Sequence, residues 1–113
     1  MHRSLAMTIL TAGFALAAAP AALAQGPAGS AEAGKKKIAM CEGCHGIPGY
    51  KTAYPEVYHV PKLGGQSPAY LVKALQQYKV GERSHPSMRG IAAALTEQDM
   101  ADIAAYYAGP AKK

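Results

Sequence analysis

Five consecutive residues, Cys41-Glu42-Gly43-Cys44-His45, constrain this chain more than any other feature, and they hold its only two cysteines. Two thiols at this spacing lie on one helical turn, and the imidazole after them falls beside them. C-x-x-C-H is the attachment pattern of c-type haem. The thiols reach the two vinyl groups of one porphyrin, and His45 then lies under the iron. Three other readings compete. A Cys41–Cys44 disulfide closes too short a loop to stabilise much. A thioredoxin-like redox pair needs a βαβ setting, and no alternating strand pattern is present. A structural zinc site needs a second pair of ligands, and His59 and His85 stand far apart in sequence.

The start of the chain bears on compartment. Residues 1–24 read as a cleaved secretory signal peptide: His2 and Arg3 form a basic start, Met7 to Ala19 is an apolar run, Pro20 breaks it, and Ala22-Leu23-Ala24 precedes a cut ahead of Gln25. The run is too short to cross a hydrocarbon core of ~30 Å, and no later stretch has spanning length. The expected location is the periplasm, with no stable membrane insertion of the mature chain. The leader also carries the single phenylalanine, Phe14, of a chain without tryptophan. The mature portion keeps nearly all of the 12 glycines and 8 prolines. A small domain so poor in large apolar groups needs another source of core, which a haem plate supplies.

The formal net charge is +5. Lys35-Lys36-Lys37 and Lys112-Lys113 are the basic runs, and no basic stripe is interleaved with aromatics as nucleic-acid binding requires. Lys35, Lys36 and Lys37 form either a solvated helix face or a docking surface for a redox partner, with Lys51 and Lys62 as further candidates.

Residues 25–32 are expected to form a flexible arm, residues 33–109 the domain and residues 110–113 a frayed tail. Helical spacing runs from about Ala31 to Glu42, with Gly43 and Gly46 at its end. A long Gly/Pro-rich loop occupies residues 46–66, interleaved with Tyr50, Tyr54, Val57, Tyr58 and Val60. It is expected to roof the haem, or to present a partner surface or bring His59 near a propionate. Ser67 and Pro68 open a helix whose face carries Leu71, Leu75 and Tyr78, and Gly81 closes it. Residues 82–90 read as a loop. Thr96 and Asp99 form a capping box for a last helix lined by Met100, Ile103, Ala104 and Tyr107, ending before Gly109-Pro110.

The second axial ligand decides between carrier and enzyme. Met40 adjoins Cys41 and cannot reach the far side of the iron, and Met100 sits on a periodic core face. Met88 stands alone in a polar loop with no packing stripe to join, which favours ligation. His85 is the runner-up in the same loop, and His59 and the lysines stay as candidates. A His/Met pair closes the iron and raises its potential, which suits electron transfer over substrate binding.

Together these residues resemble a class I cytochrome c of the small bacterial periplasmic kind, and one half of the dihaem two-domain cytochromes. The carrying motifs are Gly34-Lys35-Lys36-Lys37, Cys41-x-x-Cys44-His45-Gly46, Pro61-Lys62-Leu63-Gly64-Gly65-Gln66, Tyr70-Leu71, Tyr78-x-x-Gly81-x-Arg83, Met88, Leu95-Thr96 and Ala104-Ala105-Tyr106-Tyr107-Ala108. The resemblance implies an all-α cytochrome c fold, about three main helices plus short turns around one covalent haem c. It implies thioethers from Cys41 and Cys44, axial ligation by His45 and Met88, and a hydrogen bond from the His45 ring to the Pro61 carbonyl. The first and last helices are expected to cross at Ala33 or Gly34, against Ile103 and Tyr106. The implied function is one-electron transfer between redox partners, without enzymatic activity of its own. The alternatives are a cytochrome subunit of a larger oxidoreductase, a haem enzyme or gas-binding protein if Met88 does not ligate, and a non-haem thiol or metal module.

Overall fold

A computed structural model describes residues 26–54 and 57–109. The expected leader and the frayed tail lie outside the described residues. Among the described residues, five helices and one antiparallel strand pair run in order: α1 (Ala31–Lys35), α2 (Ala39–His45), β1 (Lys51–Thr52), β2 (Tyr58–His59), α3 (Pro68–Val80), α4 (Pro86–Ala93) and α5 (Glu97–Ala108).

The single first helix expected from spacing is two. Lys36 ends α1, its N–H reaching back to the Ala33 and Gly34 carbonyls, and the Lys37 N–H donates to Gly34 at 2.8 Å. This tight turn satisfies the last carbonyls of α1. The break lets the two pieces take different partners. Gly34 is buried on α5, where an added Cβ would stand 2.0 Å from the Asp102 carbonyl oxygen and 2.9 Å from Tyr106 Cβ. Ile38 and Cys41, beyond the break, pack with Ile103. The crossing is thus at Gly34, as expected, but Ile103 belongs to the α2 contact.

The arm is shorter than its composition suggests. Gly29 packs so closely on α5 that a Cβ would meet the Ala101 carbonyl oxygen at 2.0 Å. Ser30 caps α1, accepting from the Ala33 N–H, and Ala28 O accepts from Gln98 Nε2 at 2.9 Å. Glycine content signalled close approach here, not looseness.

Charge completes this seam. Lys37 Nζ lies 2.7 Å from both Asp99 Oδ1 and Asp102 Oδ2. Asp102 Oδ1 accepts from the Ser30 N–H at 2.8 Å and from Gln98 Nε2 at 3.0 Å. Asp102 is 3% exposed, the one buried charged side chain among the described residues. Both carboxyls are held below their ordinary range, first by Lys37 and then by backbone N–H donors, and Lys37 is raised in return. Lys37 is therefore a structural cation, and only Lys35 and Lys36 of the basic run are solvent-facing.

α3 and α5 obey their sequence signals. Ser67 caps α3, Pro68 opens it, and Gly81 ends it in the left-handed region at φ 84°. Thr96 and Asp99 make both bonds of the capping box on α5. Met100 is fully buried, so it is core.

Candidate haem site

The helices enclose a cavity whose empty space, open mouth included, is about 1240 Å³. α2 gives it Cys41, Cys44 and His45, the strap between β2 and α3 gives Pro61 and Leu63, and α3 gives Leu71, Leu75 and Tyr78. α4 adds Met88 and Ile91, and α5 adds Ile103 and Tyr107. The fold therefore brings Cys41, Cys44, His45, Pro61 and Met88 to one cavity. Met40 also borders it but is largely exposed. His59 does not line it.

His45 is oriented by the strap. Its Nδ1 donates to the Pro61 carbonyl at 2.8 Å, the hydrogen bond implied by the resemblance. A carbonyl only accepts, so Nδ1 is the donor, and Nε2 is the ring nitrogen that the strap leaves unengaged. The strap is itself pinned, because Gly65, at φ 81°, donates its N–H to the Tyr107 carbonyl at 2.9 Å. The His45 imidazole is thus held by a strap that is itself fixed to the end of α5.

The far wall of the cavity departs from expectation. Met88 is not in a flexible loop; it sits half-buried in the first turn of α4. Pro86 at the first helical position was the available signal. The residue ahead of it, His85, is an unusual cap and hides the start. His85 Nδ1 accepts from the Met88 N–H at 3.4 Å, and its ring meets Tyr58 edge-on at 5.2 Å between centroids. The runner-up ligand thus holds the backbone of the first choice.

Part of the tyrosine-rich loop pairs as strands, and its described residues are less of a roof than expected. β1 and β2 pair antiparallel, Lys51 opposite His59 and Thr52 opposite Tyr58. Thr52, Tyr58 and Val60 line the cavity. Tyr54 and Val57 are 88% and 77% exposed and form no part of its wall. With so short a pair of strands, alternation had no length in which to show.

Two further features carried little or no signal in the sequence. The Tyr107 hydroxyl is buried with no hydrogen-bond partner, and its ionisation is suppressed, mainly by burial. Arg83 also lines the cavity, though only its place in a motif had marked it.

Comparison with known proteins decides the family. The model of the family described as "Cytochrome c" matches residues 31–108. The chain belongs to the cytochrome c family. Cytochrome c4 of Pseudomonas aeruginosa is 44% identical over 81 residues, covering 72% of this chain and 38% of that protein. Cytochrome c-554(548) of Halomonas halodenitrificans is 42% identical over 83 residues, covering 71% of this chain and 95% of that protein. The crystal structure of reduced recombinant cytochrome c4 from Pseudomonas stutzeri superposes with a TM-score of 0.58 at 40% identity, covering 74% of this chain and 46% of that one. The chain spans about two fifths of the cytochrome c4 relatives it matches.

The family binds covalent haem c, and this cavity suits it. Two free thiols stand one turn apart, the His45 imidazole lines the cavity beside them, and the walls are largely apolar, without a single Asp or Glu. Burial pushes the Cys41 thiol up, with Glu42 adding to the effect. The cavity thus has the residues and the lining that covalent haem c requires. No helix among the described residues is long and apolar enough to cross a membrane.

Proposed function

We propose that this cytochrome is a periplasmic monohaem electron carrier whose iron is held between His45 and Met88. The observation that carries the reading is the convergence of both side chains on one cavity, each with its backbone or ring fixed. His45 is turned by Pro61. Met88 is held by the cap that His85 provides. The bound haem supplies a reversible one-electron couple. Cys41 and Cys44 would anchor it, His45 and Met88 would both hold its iron, and Leu71, Leu75 and Ile103 would keep water away. Nothing is left open for substrate, which favours a carrier over an enzyme. Lys35, Lys36, Lys51 and Lys62 remain as cations to steer a redox partner; Lys37 is committed to α5.

The test is an optical spectrum in both redox states. The wild-type ferric protein is expected to be low-spin with the weak near-infrared band of sulfur-to-iron charge transfer, and Met88→Ala to lose that band. A high-spin wild-type iron that binds carbon monoxide rapidly would overturn the carrier reading. Export is tested separately: the mature chain from the periplasmic fraction should begin at Gln25 by mass spectrometry.

A further inference from the structure

The first turn of α4 is held by an imidazole. His85 stands at the N-cap in extended backbone, and its Nδ1 accepts from the Met88 N–H at 3.4 Å. The usual caps are short side chains whose oxygen reaches an N–H with few torsions to settle. An imidazole is larger, and its second torsion has two broad wells half a turn apart. Only one of them presents Nδ1 to the helix; the other presents a ring carbon, which accepts nothing. A cap of this kind needs something outside α4 to hold the ring.

Tyr58 is placed to do so. Its ring meets the His85 ring edge-on, 5.2 Å between centroids with the planes 67° apart, an arrangement that aromatic pairs favour. Tyr58 is itself held through backbone. β2 pairs with β1, Thr52 Oγ1 donates to the Tyr58 carbonyl at 3.4 Å, and the Val60 N–H donates to the Tyr50 carbonyl at 3.0 Å. Tyr58, His85 and Met88 all border the cavity that His45 lines, and β1 is the next element after the helix ending at His45. The strand pair thus ties the segment after His45 to the cap of α4.

We propose that Tyr58 is a positioning residue for Met88, acting through the His85 ring. The inference deepens the reading of Met88 as an iron ligand and rests on it. The edge contact selects the ring orientation, the selected ring holds the Met88 N–H, and the anchored backbone narrows the positions open to the Met88 sulfur. Outer partners of this kind orient the groups that bind a metal.

The test uses the haem-loaded ferric protein, warmed while the near-infrared sulfur-to-iron band and, in parallel, far-ultraviolet circular dichroism are followed. The wild type is read first. Absence of the band there, with Met88→Ala giving the same spectrum, overturns the ligation reading and this proposal with it. With the band present, Tyr58→Leu is expected to lose it at a lower temperature than the wild type, while unfolding shifts less. Tyr58→Phe keeps the ring edge and should match the wild type. So should Tyr54→Leu in the same loop, where the side chain is 88% exposed. In a His85→Asn background, which keeps a cap but has no ring, Tyr58→Leu should cause no further loss, because the link it acts through is gone. Equal band-loss temperatures in Tyr58→Leu and Tyr54→Leu would overturn the proposal. A full additional loss in the double variant would also overturn it, leaving Tyr58 a wall residue only. So would band loss and unfolding that shift together in Tyr58→Leu. If Tyr58→Leu does not accumulate with haem, Tyr58→Ile, which suits a strand better, carries the same expectations and the same overturning results.

Discussion

The α1–α5 seam and the haem cavity are built from the same short helices, yet only one of them is finished by protein alone. At the seam every demand is met locally. Gly34 removes its own side chain to let backbone meet backbone, and Lys37 closes on two aspartates that also take backbone and amide donors. At the cavity, Leu75, Tyr78, Met88 and Tyr107 are only partly buried, and the buried Tyr107 hydroxyl has no partner. The seam is closed by contact; the cavity has room for the haem c that the family binds.

The sharpest way to break this contrast is to withhold the haem. Cys41→Ala/Cys44→Ala is expected to lose cooperative thermal unfolding, because the thin core loses its largest apolar member; a sharp calorimetric transition in that variant would contradict it. Next in size is Gly34→Ala. A Cβ 2.0 Å from a backbone oxygen forces α1 off α5 and should cost about 3 kcal/mol or more by denaturant titration. The haem spectrum of the molecules that stay folded should be unchanged, since the damage is at the seam. His85→Ala should cost about 1 kcal/mol as a lost cap, and His85→Asn should recover most of it. The His85 pair should differ in the near-infrared band more than in stability, because the cap holds the Met88 backbone.

A smaller effect is expected with pH. The folded-state values of Asp99 and Asp102 are depressed, so their contribution is present above the unfolded carboxylate value of about 3.9 and is lost as pH falls toward the folded values. Lys37 is raised, so its contribution is present below its ordinary 10.5 and is lost as pH rises through the folded value. Denaturation midpoints should therefore decline below about pH 4 more steeply in the wild type than in Asp102→Asn. Equal slopes would remove the seam from the acid transition.

Legibility in the sequence divides along the same line. α3 and α5 announce themselves through Ser67, Pro68, Gly81 and the Thr96–Asp99 box, since caps and stop residues act locally. Cys41, Cys44 and His45 are legible because attachment needs a fixed spacing on one turn. The break at Lys36–Ile38 was not legible, because it is set by partners on α5 about 65 residues away in sequence. For the same reason Lys37 could not be told from Lys35 and Lys36. α4 was hidden by an uncommon cap, and Arg83 by the fact that its tyrosine partners, Tyr70 and Tyr78, lie on the preceding helix.

The bond from Ser30 to Asp102 spans 72 residues, so the seam joins the two ends of the domain. Closing so long a loop is entropically expensive and slow compared with forming any single helix. The turn carrying Cys41 and Cys44 needs no such closure. Before that closure the thiols can therefore be presented as a local segment, and they are sealed in only when the twelve-residue α5 docks. Topology thus separates the exposure of the Cys41–Cys44 turn from its burial.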